Sequence, residues 1–206
     1  MTDLLLASDD DERTTLYEVP ETPRPPGPAL QWLAFRFRSD GLLTHSPGSH
    51  FAVVLRARLL RDARGWPMAI SGRGMTLGDT SAAMPPPGHP LSDRPGFGGA
   101  RGAAAESFWP GGNFLYRDTA VLPEGLTERR WYGVELEVDD ARRIRFRIRD
   151  ADGHALHPDA CVQDSHEHPV AAGATGVLIG LGRDRRETGP WAVELRDIRH
   201  GWRALR

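Results

Sequence analysis

Three groups of residues in this chain could do chemistry. The first is Glu135, Glu137 and Asp139, spaced every second residue in a run that alternates acid with apolar side chain. In a strand that spacing sets all three carboxylates on one face. Paired carboxylates about 5–9 Å apart can hydrolyse a glycosidic bond. The run Arg143, Arg145, Arg147 follows closely. A hairpin would put a guanidinium opposite each acid, hold the acids ionised and remove the general acid. A charged outer face is the competing reading.

The second group lies in HALHPDACVQDSHEH, from His154 to His168. Imidazole nitrogens and carboxylate oxygens suit zinc or a similar divalent ion. His157, Asp164, His166 and His168 are the candidate ligands, with His154 in reserve. Their spacing matches no established metal motif, and a polar surface loop would read the same way. The third group is WPGGNFLYRD. Trp109 and Tyr116 offer flat apolar rings with a polar tip, suited to stacking on a sugar. Asn113 and Arg117 could direct hydrogen bonds to hydroxyls or to a carboxylate. As ordinary core aromatics, Trp109 and Tyr116 would carry no such role.

Other chemistries are excluded or unsupported. All 26 positive residues are arginine, so no lysine can form a Schiff base or act as a general base. The single cysteine, Cys161, rules out an internal disulfide and a multi-cysteine zinc site. No phosphate-binding glycine loop, nucleophile elbow or H-E-x-x-H occurs. A net charge of -2 gives no footprint for nucleic acid. No apolar run is long enough for a membrane helix, and Met1 to Asp11 does not read as a secretion signal, so a cytoplasmic location is expected.

The elements that must position these residues read as strands. In WYGVELEVDDARRIRFRIRD, Val138 should face Ile144, Leu136 should face Phe146 and Val134 should face Ile148. The same register sets Glu137 against Arg145 and Glu135 against Arg147, so a slip of one residue would spoil both faces. Leu33, Phe35 and Phe37 alternate with Arg36 and Arg38 as a half-buried strand. Phe51 to Leu60 reads as another, with Val53, Leu55, Ala57 and Leu59 on one face and Arg56 and Arg58 on the other. Trp66 to Gly74 reads as its return strand, and the glycines at 72 and 74 suggest a bulge or a close backbone approach. Residues 1–29 read as an acidic, proline-rich arm, residues 30–206 as one domain, and residues 80–106 as its longest irregular loop.

The pattern of residues 108–202 resembles a known family. Trp131-Tyr132 opens the hairpin, Asp150-Ala151-Asp152-Gly153 makes a turn, and Gly176 to Gly180 is a glycine-flanked strand. Trp191 to Ile198 closes the series as W-x-V-x-φ-x-D-I. It is similar to the concanavalin A-like lectin/glucanase superfamily, above all to laminin-G-like and 3-keto-disaccharide hydrolase-type domains. The resemblance implies an all-β, two-sheet antiparallel jelly-roll sandwich, with glycan bound on the concave sheet. The glucanase strand E-x-D-x-x-E is absent. A carbohydrate- or glycoconjugate-binding domain without its own catalysis is therefore expected. A glycoside hydrolase or lyase and a structural or interaction domain are the alternatives. No cofactor is expected beyond a divalent ion at the histidine segment, should that segment be a site. The oligomeric state is not set by the sequence.

Overall fold

A computed structural model describes residues 3–8, 15–42, 50–65, 67–79, 101–110, 112–121, 126–165, 174–182 and 191–205. These residues form twelve strands in two six-stranded antiparallel sheets. The first sheet is ordered β1 (Leu4–Ser8), β12 (Trp191–Ala204), β3 (Ala29–Asp40), β8 (Tyr132–Asp139), β9 (Arg143–Arg149) and β10 (Ala160–Gln163). The second is ordered β2 (Thr15–Val19), β11 (Gly176–Gly182), β4 (His50–Arg61), β5 (Pro67–Asp79), β6 (Arg101–Trp109) and β7 (Gly112–Val121). One apolar core lies between them, filled by Phe37, Leu136 and Phe146 from the first sheet and Phe51, Leu55 and Ile179 from the second. The chain is thus an all-β sandwich. No helix among the described residues is long and apolar enough to cross a membrane.

The β8–β9 hairpin has the expected register, with Val138 opposite Ile144, Leu136 opposite Phe146 and Glu137 opposite Arg145. Strand β3 also alternates as expected: Leu33, Phe35 and Phe37 are buried and Arg36 and Arg38 are exposed. Two other expectations are corrected. Residues 1–29 are not set apart from the sandwich, because β1 pairs with β12 and β2 pairs with β11. Leu6 and Val19 are buried in the common core. Five-residue strands with two or three inward side chains leave too short an alternation to read. The irregular stretch ends earlier than expected: Arg101 already begins β6, and Ala103 to Ala105 are buried. Residues 80–100 lie outside the described residues.

Strand β4 departs from simple alternation. Leu55 pairs with Arg73 and Arg58 pairs with Ser71, so β4 carries an extra residue opposite Gly72. Arg56 takes the left-handed backbone, φ 49°. The bulge reverses the faces beyond it. Val53 and Leu55 face the core, whereas Ala57 and Leu59 turn to the outer side and pack with Val54 and Leu178. The uniform face expected for Val53 to Leu59 therefore breaks at Arg56. Glycine is required opposite the bulge: at Gly72 (φ 148°) a Cβ would stand 2.6 Å from Val54 Cγ1 and 2.8 Å from the Leu55 carbonyl oxygen.

The bulge also sends the Arg56 side chain across to the first sheet. Its guanidinium donates to Asp140 Oδ1 (2.5 Å), the Ala29 carbonyl (2.8 Å) and the Val138 carbonyl (3.3 Å). Its backbone N–H donates to Gln31 Oε1 (2.6 Å), and its guanidinium stacks 5.1 Å from the Trp202 ring. Asp140 also accepts from the Ala29 N–H and from Arg24 (3.0 Å), and these partners hold its carboxyl below the ordinary range despite some burial. Arg56→Ala should cost about 2 kcal/mol, because it removes the donors to the Ala29 and Val138 carbonyls and leaves Asp140 with Arg24 and the Ala29 N–H alone. Urea unfolding measures this, and a loss below about 1 kcal/mol would refute the clamp.

Candidate functional site

The three groups singled out in the sequence fare differently. The acids Glu135, Glu137 and Asp139 lie on the outer face of the first sheet, each with an arginine. Arg147 reaches Glu135 at 3.1 Å, Arg145 and Arg203 reach Glu137 at 3.5 and 3.2 Å, and Arg143 reaches Asp139 at 2.6 Å.

In the histidine segment, Asp164 is fully buried rather than displayed on a loop. Tyr116 Oη donates to its Oδ1 at 2.6 Å, while Arg73 Nε (2.5 Å) and Ser107 Oγ (3.0 Å) donate to Oδ2. With both oxygens engaged and no exposed surface, Asp164 does not fit a metal ligand. It ties the segment after β10 into the space between the sheets. His157 is half-buried, and its Nδ1 donates to the Pro158 carbonyl at 2.5 Å. His166 and His168 lie outside the described residues. The described His, Cys, Asp and Glu residues form one group with ligand atoms within 4.8 Å of one another, Asp150, Asp152 and His154. It is a turn in which Asp150 Oδ1 accepts from the backbone of Asp152 and His154.

The aromatic group is split by the pleat. Trp109 pairs with Gly112 at the end of the β6–β7 hairpin, which places it in the hairpin rather than in a free loop. Tyr116 lies opposite Ala105 on the core side, and its hydroxyl is committed to Asp164. Burial and the negative partner raise its pKa, so it remains a donor. Asn113 lies opposite Phe108 on the other side of the sheet, where its amide donates to Glu106. Asn113 and Tyr116 therefore do not meet on one surface. Arg117 lies within β7.

A different site emerges on the outer face of the first sheet. Register places two rows across β12, β3, β8 and β9. One row is Arg199, Ala34, Glu135, Arg147, and the next is Arg196, Arg36, Gly133, Arg149. Four strands at about 4.8 Å spacing make such a row about 14 Å wide. Ala34 and Gly133 are its smallest members and sit diagonally. Over them lies a depression of ≈ 370 Å³, walled by Arg36, Arg147, Arg149 and Arg199 with Glu135 and Asp197. A Cβ added at Gly133 would meet nothing within 4 Å.

Three of the four guanidinium walls are held in place. A second bulge falls between Arg196 and Arg199, and Asp197 there has φ 55°. Trp131, beyond the second row, carries the guanidinium carbons of Arg196, Arg38 and Arg36 at 4.7, 5.2 and 5.4 Å from its ring centre. On the other flank Trp32 carries Arg203 at 5.0 Å. Arg147 is shared between Glu135 and Asp159, and Arg149 donates to the Gly153 carbonyl. Among the described residues the side chains of Arg199 and Asp197 have no hydrogen bond, ion pair or ring contact. The sequence did hold a signal for this site. Trp32 and Ala34 fall at the outward parity of β3, and Gly133 falls at the parity of Glu135 and Glu137, where charged residues would be expected.

No family model matches the chain, and no curated protein matches it in sequence. Among solved structures, the binding domain of botulinum neurotoxin DC in complex with SialylT superposes with a TM-score of 0.47 at 10% identity, over 95% of this chain and 37% of that one. The botulinum neurotoxin serotype C1 binding domain superposes with a TM-score of 0.46 at 9% identity, over 95% of this chain and 39% of that one. This chain thus spans less than half of those chains. The likeness is one of distant shape, and the functional reading rests on the chain's own residues.

The Asn113 contact has a measurable consequence. Glu106 is buried on the outer side of the second sheet, hydrogen-bonded by Thr76 and Asn113. Burial outweighs the Asn113 bond and raises its pKa from 4.5 to about 8. The proton is held more tightly in the folded state, so this contribution to stability is complete below pH 4.5 and is lost as pH rises to about 8. Glu106→Gln should flatten that decline and make the protein more stable than wild type at pH 8. Thermal melts from pH 4 to 9 check this, and parallel curves for the two proteins would refute it.

Proposed function

We propose that the chain is a glycoconjugate-binding β-sandwich of the concanavalin A-like lectin type that holds a saccharide over Ala34 and Gly133 and performs no chemistry of its own. The carrying observation is the ≈ 370 Å³ depression with guanidinium walls and a floor of two small residues. Placement among concanavalin A-like domains is supported by the strand and aromatic pattern of residues 108–202 and by the two-sheet architecture. A guanidinium is a rigid fork of donors that suits hydroxyl pairs and carboxylates. Stacking on Trp131 restrains Arg36 beforehand, so less rotamer freedom is lost on binding. The carboxylate of Asp197 is available to accept from a hydroxyl.

A binding role is favoured over hydrolysis by the state of the acids. Of the two acids in the depression Glu135 is committed to Arg147, which leaves Asp197 alone without a partner among the described residues, and Glu137 and Asp139 have arginines of their own. A hydrolase would need two carboxyl groups facing one scissile bond, one of them free to donate a proton. A shallow site of this kind should bind a monosaccharide at about millimolar strength, about -4 kcal/mol.

Gly133→Leu is the direct test. A Cβ at this position meets nothing within 4 Å, so the leucine projects into the open depression, and glycine in a strand is no asset to stability. The variant should melt at or above the wild-type temperature and lose every saccharide that wild type retains on a glycan array. Undiminished binding by a folded Gly133→Leu variant would move the site elsewhere. An array with no wild-type binding at all would favour an interaction domain.

A further inference from the structure

We infer that the saccharide is held through an oxyanion that it carries, a carboxylate or a sulfate ester, clamped between Arg199 and Arg36; this rests on the reading of the depression as a saccharide site. Positive charge in the depression is unmatched. Elsewhere on this face the acids and arginines are paired across strands. In the depression, four guanidinium groups face two carboxylates, and Glu135 is already taken by Arg147. The Arg199 side chain makes no hydrogen bond, ion pair or ring contact with the described residues, and Arg36 has a ring beneath it but no acid. The local excess of positive charge arises in a chain whose net charge is -2.

Geometry brings these two arginines together. Arg199 lies opposite Ala34, and Arg36 follows two residues along the same strand. That is a diagonal relation, with about 7–8 Å between backbone positions and side chains long enough to converge. Ala34 between them leaves room for the anion. An oxyanion there accepts hydrogen bonds from two planar donors and adds ion–ion attraction to both, whereas a neutral hydroxyl accepts the hydrogen bonds alone.

The experiment compares four probes by calorimetry at low salt: trigalacturonate, its carboxyl-reduced counterpart, a sulfated form of that neutral sugar, and tetraglutamate. The proteins are wild type, Gly133→Leu, Arg199→Gln, and Arg58→Gln as a control that removes one charge from an exposed position on the other sheet. Wild type should prefer an anionic sugar over the neutral one by about tenfold or more, and the preference should shrink as salt screens it. Arg199→Gln should abolish the preference and Arg58→Gln should keep it. The uronate and sulfate arms then identify which oxyanion is taken, and either supports the proposal. Equal binding of charged and neutral sugars, blocked by Gly133→Leu, would overturn the oxyanion and leave the saccharide site standing. Failure to bind any sugar would overturn both. Tetraglutamate bound as tightly as trigalacturonate would overturn the saccharide in favour of an acidic peptide.

Discussion

The Arg56 guanidinium starts on a strand of one sheet and ends against three backbone and side-chain oxygens of the other. Sandwich sheets otherwise meet through apolar contact, which is strong but has little directional preference. Here Arg56 fixes where Ala29, Val138 and Asp140 sit relative to β4. Gln31 reinforces the link by accepting from the Arg56 N–H and donating to the Thr175 carbonyl at 2.6 Å. These are the ends of β3 and β8. Because side chains alternate with a period of two, the position of those ends decides which residues of β3 and β8 face outward. Ala34 and Gly133 come to lie on the same surface through that constraint. The strained backbone at Arg56 is held by its surroundings, as such conformations must be.

The depression begins where a pattern of charge runs out. Along β8 the outward positions read Gly133, Glu135, Glu137 and Asp139, and along β9 they read Arg149, Arg147, Arg145 and Arg143. Three rungs have an acid, and the fourth has none. On β3 the neighbouring outward positions change from Arg38 and Arg36 to Ala34 and Trp32. The same replacement of a side chain by almost nothing therefore opens space and leaves guanidinium groups without partners. Exposed ion pairs contribute little to stability, so the ladder acts mainly on register and the gap in it is cheap to maintain.

How much of this was legible follows from the range of each signal. The β8–β9 hairpin announces itself because both faces obey one register within twenty residues. The alternation of Leu33, Phe35 and Phe37 does the same for β3. The bulge at Arg56 was hidden, since Val53 to Leu59 reads as regular alternation and the inserted residue shows only against β5 and β11. Gly72 hinted at it without saying which strand was bulged. The aromatic group around Trp109 looked like a site because its members are close in sequence. The pleat then sent Asn113 and Tyr116 to opposite sides and spent the tyrosine hydroxyl on Asp164. The depression itself joins residues 34, 133, 149 and 199. No local window contains them, and only the sheet order brings them side by side.

Strand β12 has one further property. Strand β1 accompanies it only from Trp191 to Leu195, so from Arg196 to Ala204 its backbone has a described strand on one side alone. An uncovered edge of that length is a template for another chain, and growth of the sheet by edge-to-edge addition is the usual hazard. Along this stretch stand Arg196, Arg199 and Arg203. A second molecule approaching in antiparallel fashion would bring arginines against arginines. The bulge at Asp197 would further disturb the flat ladder such growth requires. The side chains that surround the depression thus also oppose polymerisation of the sheet.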